Sequence, residues 1–331
     1  MITNLMARTN YKGSPSGLPI CILMHGWSDD ALVFGDDMLS RFADYGLFVA
    51  AIGLRGRNSA DGARDASGRE IYDIIDAITY IRTNYASIVD SEKVCIVGYS
   101  GGGGNALAAA CKFPDMFNVV VDFFGMSDYG RDGTNGWYYN NSGTHTAGIV
   151  SSIGGTPSEL PNNYYARDAT VAIHNFTGGY LYMYHKSDDT SVPLVHSTRI
   201  KNALDGAGMT NYSYNVGNTY GHGYPATNPL LIPPEATFLR DAISRAVWEI
   251  PASGTVTVIG YIVTKRFSVW LNTHGTAITG IDAAATVVYN TEIDTYTVTP
   301  LTTGGVDVVI TQGGKTGIST NISTETVITV I

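Results

Sequence analysis

Three kinds of side chain in this sequence could do chemistry together: the hydroxyl of Ser100, the imidazole of His222, and one of two adjacent carboxylates, Asp188 or Asp189. A serine hydroxyl is a poor nucleophile at neutral pH. It needs a base within hydrogen-bond reach, and the base needs a carboxylate to orient it. Ser100 stands in Gly98-x-Ser100-x-Gly102, after the apolar run Val94-Cys95-Ile96-Val97 and before the helix-forming stretch Asn105 to Ala110. In a chain with 38 glycines the bare pattern is a weak signal, and an ordinary strand-to-helix turn would also produce it. Strand, sharp turn and helix in succession make it a nucleophile elbow, which lifts the hydroxyl clear of a sheet. The glycines serve this turn because the backbone is strained at the serine and neighbouring side chains would collide with strand and helix.

His222 is the expected base. It lies in the glycine-flanked loop Thr219-Tyr220-Gly221-His222-Gly223-Tyr224, beyond the last core strand of the pattern. His145 and His174 precede the acid, His185 ends a strand, His196 opens a helix, and His274 falls in a β-rich tail. The order nucleophile, acid, histidine is the one an elbow architecture uses. Asp189 is preferred to Asp188 as the acid. Two adjacent carboxylates buried together would raise each other's pKa, so one is expected to face solvent. The amide of Gly101, next to the nucleophile, and that of Trp27, in His25-Gly26-Trp27, are the expected oxyanion donors. Trp27, Tyr99, Trp137 and Tyr138 are the expected substrate contacts, with a plain core role as the alternative for Trp27.

The elements that must position these groups follow a regular rhythm. Pro19 to Met24, Leu47 to Ile52, Val94 to Tyr99, Val119 to Phe124, Gly179 to His185 and Tyr212 to Val216 read as strands. Between them fall helical stretches at Phe34 to Tyr45, Glu70 to Tyr85, after Ser100, and Leu194 to Leu204. A closing helix is expected over Glu235 to Glu249, and an edge strand within Ile2 to Thr9. Such alternation implies right-handed crossovers and a parallel sheet, whose ligands bind beyond the carboxyl ends of the strands. His25, Arg55 and Ser100 all follow strand ends and should share one edge.

Residues 126–166 break the rhythm. Their polar, aromatic stretch Gly133 to Asn141 reads as a lid-like excursion over the sheet edge, or as a long surface loop. After Ile250-Pro251 no helical period remains. Short Val/Thr/Ile/Tyr runs punctuated by Gly, Asn and Asp read as an all-β, sandwich-like module. The expected organisation is a catalytic domain over 1–250 and an accessory domain over 251–331.

The chain has 331 residues, 44% of them hydrophobic, with a net charge of −9. That charge argues against a nucleic-acid partner. No apolar run reaches a membrane span and no signal peptide is expected. A cytoplasmic or particle-associated location fits, without choosing between them. Cys21, Cys95 and Cys111 are scattered and odd in number, so they read as small core residues, with no metal or cofactor site expected.

Five motifs together resemble the α/β-hydrolase superfamily: His25-Gly26-Trp27, Arg55-Gly56-Arg57-x-Ser59-x-Asp61-Gly62, Gly98-Tyr99-Ser100-Gly101-Gly102, Asp189-Thr190-Ser191-Val192-Pro193 and Gly221-His222-Gly223. Within it they are similar to the prolyl-oligopeptidase-like and acetyl-xylan or feruloyl esterase-like branch. The resemblance implies a doubly wound, mostly parallel sheet, and Ser100, Asp189 and His222 as the catalytic triad. It places the Arg55 segment beside the site, where a structural salt bridge is the preferred role. Peptidases of the branch usually carry a large N-terminal propeller, and barely eighteen residues precede the first core strand here. A serine esterase acting through an acyl-enzyme is therefore expected, with acyl groups on a carbohydrate polymer as the favoured substrate. The alternatives are a peptidase of the same type, or a non-catalytic binding or particle-assembly protein that works through the β module. Self-association through that module is a further expectation.

Overall fold

A strand buried on both faces must be apolar at every position, whereas a strand with one wet face alternates. Both kinds occur here, in separate sheets. The computed structural model describes residues 6–8, 16–57, 60–141, 143–218, 221–223, 248–276 and 282–331. The first sheet has seven strands: β1 (Met6–Arg8), β2 (Leu18–Met24), β3 (Phe48–Ile52), β4 (Val89–Tyr99), β5 (Val119–Phe123), β6 (Tyr180–Lys186) and β7 (Tyr212–Gly217). Their order is β1-β3-β2-β4-β5-β6-β7, parallel except for β1, which runs against β3 at the edge. The chain steps outward from β2 to β3 and returns to β4 on the other side of β2. The carboxyl ends of β2 and β4 therefore flank a switch point, where such sheets form their ligand crevice.

Helix α1 (Gly35–Ala43) covers one face of this sheet. Helices α2 (Ile71–Asn84) and α3 (Gly101–Lys112) cover the other. On α2, Ile71, Ile74, Ile78 and Ile81 form the buried stripe that their spacing requires. Helix α3 has no wet side at all: every one of its residues is buried. Its composition of glycine, alanine and leucine suits that, because the sheet lies against one flank and the C-terminal strands against another. Helix α7 (Val195–Gly206) precedes β7. The expected closing helix over Glu235 to Glu249 lies almost wholly outside the described residues.

The excursion is helical where the sequence suggested a loop. It holds α4 (Trp137–Asn140), α5 (Thr146–Ile153) and α6 (Pro161–Tyr165). Its apolar residues Met126, Tyr129, Trp137, Ile149, Ile153 and Tyr164 cluster with Trp27, Ala66 and Val192 in a small core of their own. The polar composition concealed this, because charged residues here are internal struts. Arg199 of α7 reaches Asp128 at 3.0 Å and Asp168 at 3.6 Å, and Arg131 reaches Asp168 at 2.6 Å. Both aspartate side chains are fully buried, so breaking one pair would leave an uncompensated buried charge.

The second sheet is antiparallel throughout. It comprises β8 (Ser253–Ile259), β9 (Tyr261–Val263), β10 (Ser268–Thr273), β11 (Ala284–Asn290), β12 (Thr295–Pro300), β13 (Val306–Gln312), β14 (Lys315–Ile322) and β15 (Thr326–Thr329). The order is β14-β13-β10-β9-β8-β11-β12-β15. The sheet folds over until its ends meet, where Thr316 N–H donates to Ile331 O at 3.2 Å. Val258, Val269, Leu271, Val287, Tyr296, Val298, Val308 and Ile310 fill the space between its halves.

The outer side of β8 to β10 rests on α2 and α3. Tyr72, Phe113, Tyr261 and Trp270 form an aromatic seam, with Tyr261 and Trp270 stacked at 4.9 Å and Tyr72 and Trp270 at 5.4 Å. Asn175 clamps Thr257 from both sides, accepting its N–H at 3.0 Å and donating to its carbonyl at 2.7 Å. Lys112, at the end of α3, donates to Ala166 O and Ile259 O and lies over the Tyr261 ring. Among the described residues, no helix is long and apolar enough to cross a membrane.

Candidate active site

Ser100 occupies the turn between β4 and α3 with φ 55° and ψ −117°, a conformation that costs an L-residue energy. The turn closes so tightly that a Cβ on Gly98 would lie 2.0 Å from the carbonyl oxygen of Gly102. A Cβ on Gly101 would lie 2.6 Å from the amide nitrogen of Trp27. Glycine at 98 and 101 is thus what lets the elbow form and brings the loop after β2 against it. The amides of Gly101 and Trp27 are neighbours, and neither donates a hydrogen bond to any other described residue.

Ser100 Oγ–H donates to His222 Nε2 at 2.8 Å, and His222 Nδ1–H donates to Asp189 Oδ2 at 2.7 Å. Three elements far apart in sequence supply this row: the elbow, the turn after β6 and the loop after β7. Asp189, the preferred acid, is buried, and Asp188 is exposed. Burial by itself would raise the Asp189 carboxyl. Hydrogen bonds from His185 and His222 outweigh it, together with the N–H of Val192, and hold the group well below the usual carboxylate range. Its Oδ1 accepts from the N–H groups of Ser191 and Val192, both at 2.9 Å. His185 braces the same turn: its Nε2–H donates to Val192 O at 2.7 Å and lies 3.4 Å from Asp189 Oδ2. This role was not legible in the sequence, where His185 marked only a strand end.

The row opens into a cavity of about 380 Å³. Val33, Phe34, Met38, Tyr99 and Phe124 line it with apolar surface, and Trp27, Trp137, His145, Ser191 and Val192 line it as well. Phe124 meets the His222 ring edge-on at 5.0 Å, from a backbone with φ 46°. Trp27 and Tyr99, two of the expected substrate contacts, line this cavity. Trp137 lines the cavity too, yet it is almost wholly enclosed at 1% exposure. Its indole N–H donates to Ser191 O at 2.8 Å and its ring meets Trp27 at 5.2 Å.

Tyr138 does not line the cavity, which corrects the expectation of a substrate contact. One helical step turns it away from Trp137, and its ring meets Tyr139 and Tyr164 instead. Arg55 is also outside the cavity; it pairs with Asp73 of α2 at 2.6 Å. His145 was passed over because it precedes the acid, yet it lines the cavity with its ring stacked on Trp137 at 4.9 Å. Its proximity to an aromatic cluster was the signal in the sequence. His196 is a structural link: it is buried, bonded to Ser127 N–H and Asn140 Oδ1, and pushed down to about 3 chiefly by desolvation.

The sequence profile of the prolyl oligopeptidase family matches residues 35–244. No curated protein sequence matches the chain. Among solved structures, a puromycin-hydrolyzing peptidase of Mycobacterium tuberculosis is 20% identical with a TM-score of 0.53; the match covers 70% of this chain and 33% of that one. An acetyl ester-xyloside bifunctional hydrolase from Caldicellulosiruptor lactoaceticus is 16% identical at TM-score 0.53, covering 72% of this chain and 85% of that one. A truncated carbohydrate esterase from gut microbiota is 19% identical at TM-score 0.55, covering 71% and 88%. This chain thus spans about a third of the peptidase's length and most of the length of the other two. At these identities the likeness is one of fold.

Proposed function

From a chain that belongs to the prolyl oligopeptidase family, and so to the serine hydrolases of the α/β-hydrolase fold, we propose a serine esterase that cleaves carboxylic esters through an acyl-enzyme. The observation that carries it is the Ser100–His222–Asp189 row on the wall of an apolar cavity. Ser100 Oγ attacks the ester carbonyl as His222 Nε2 takes its proton. Asp189 holds the tautomer of His222 that leaves Nε2 free to accept, and stabilises the imidazolium. The N–H groups of Gly101 and Trp27 receive the developing oxyanion, each such donor being worth ~3–4 kcal/mol in the transition state. The intermediate collapses as His222 gives the proton to the departing alcohol. Water then enters by the same base and releases the acid.

The apolar wall of Val33, Phe34 and Met38 suits an acyl chain. The finer reading, an acyl group carried on a carbohydrate, draws on the fold likeness to hydrolases described as acetyl ester-xyloside and carbohydrate esterases. It does not draw on the aromatic rings at 137 and 138, which are packed against other rings. Residues 251–331 we take as an accessory domain held against α2 and α3 by the aromatic seam.

The test is hydrolysis of p-nitrophenyl esters of rising chain length, acetylated xylan, methyl ferulate and a proline-linked anilide by wild type and Ser100→Ala. Ester cleavage that falls by about 10⁴-fold or more in the variant is the expected result. Cleavage of the anilide alone would make the protein a peptidase. Equal rates for the two proteins would remove Ser100 as nucleophile, and rates no higher than in buffer alone would leave a binding protein.

A further inference from the structure

The departing alcohol must lie beside His222, because His222 Nε2 returns the proton to it. Phe124 meets one edge of the His222 ring at 5.0 Å, and the rest of the lining is not all apolar. His145 lines the same cavity as His222, and burial, with the neighbouring His222 adding to it, lowers the pKa of its imidazole. No described residue hydrogen-bonds to its ring. The ring is nevertheless held in place: it stacks on Trp137 at 4.9 Å with 25° between planes, and its backbone N–H donates to Asn141 Oδ1 at 3.1 Å. Ser191 lines the same wall, and no described residue bonds its hydroxyl. Trp137 ties the two together, stacked on His145 and bonded through its indole N–H to Ser191 O.

An imidazole and a hydroxyl to which no described residue hydrogen-bonds are open to water when the cavity is empty. An alkyl alcohol entering there would strip that water and return nothing, whereas an alcohol bearing further hydroxyls would replace it. We propose that His145 and Ser191 form a polar subsite for the alcohol half of the ester and select hydroxyl-bearing alcohols, sugars and other polyols, over alkyl ones. This rests on the esterase reading of Ser100 and adds the substrate class on the leaving-group side.

The test compares two acetates of equal ring size, a monoacetylated methyl xyloside and cyclohexyl acetate, in wild type, His145→Leu, His145→Gln, Ser191→Ala and Ser100→Ala. Wild type should favour the xyloside in kcat/KM by about ten- to hundredfold. That ratio should collapse toward one in His145→Leu, survive largely in His145→Gln, which keeps a donor and an acceptor, and fall partway in Ser191→Ala. No preference in wild type would overturn the subsite. So would a uniform loss on both esters in His145→Leu, which marks a structural role. If His145→Leu does not fold, an unchanged ratio in Ser191→Ala overturns it. The Ser100→Ala arm separates the two readings. Hydrolysis that survives this substitution, or is absent from wild type, removes the esterase and the subsite together. Ser100-dependent hydrolysis without alcohol preference removes the subsite alone.

Discussion

In the parallel sheet, β5 is buried at all five positions, Val119 to Phe123; in the antiparallel sheet, β12 alternates buried Tyr296 and Val298 with half-buried threonines. The two regions differ in a second way that burial pattern does not explain. The first encloses Asp122, Asp128, Asp168, Asp189, His185, His196 and Lys112, and holds Ala66, Ser67, Ser100 and Phe124 at positive φ. The second, among the described residues, buries one acid, Asp282, and its positive-φ residues other than glycine are Asp294 and Asn321, types that tolerate that region. Strain and buried charge thus concentrate in the first region, and two of its strained residues, Ser100 and Phe124, line the cavity. Such features cost stability and persist where the surroundings over-determine them. The C-terminal sheet obeys packing rules throughout and adds a second wall against α3, the helix that begins at Ser100.

The largest expected effect tests whether the buried charge at the site is functional. Asp189→Asn should lower kcat/KM by about 10³- to 10⁴-fold with the fold intact by circular dichroism, because the amide favours the wrong tautomer of His222. A loss of only a few-fold would make Asp189 a structural acid like Asp168.

Next comes the seam between the regions. Tyr261→Ala removes the ring shared by Phe113, Trp270 and Lys112, and should cost about 3 kcal/mol in urea unfolding. Activity of the folded fraction should stay near wild type. Should kcat instead fall in step with stability, the C-terminal sheet would be supporting the elbow through α3, and the contrast between a working and a packing region would fail.

The smallest effect concerns Asp122, buried beneath the elbow on β5. Desolvation raises its carboxyl from 3.8 to about 6, against the opposing pull of His185 and the Gly125 N–H. The unfolded chain therefore ionises first. The stability this group contributes is complete below pH 3.8 and is lost as pH rises through about 6. Asp122→Asn should be neutral near pH 4 and stabilise by about 1 kcal/mol above pH 6, allowing for an amide with one unpaired side. Thermal melts at the two pH values read the difference, and a gain of equal size at both would tie the effect to packing.

The sequence by itself determined the strands of the parallel sheet, because continuous apolar runs admit few other placements. It also determined the elbow, because Gly98 and Gly101 sit where any side chain would meet backbone. The order of Ser100, Asp189 and His222 followed from where those strands end. Tertiary structure alone decided the rest. Asp188 and Asp189 are chemically identical neighbours, and only the direction of the turn after β6 buries one of them. Charges of residues 126–166 pair with partners beyond the segment, as Asp128 does with Arg199 and Arg131 with Asp168, and pairing between distant residues leaves no periodic trace. The same holds for His145 and Tyr138: packing on Trp137 holds the His145 ring at the cavity, whereas Tyr138 meets Tyr139 and Tyr164 instead. Local pattern carries what a segment buries; which side chains meet across the cavity is settled by packing between segments far apart in the chain.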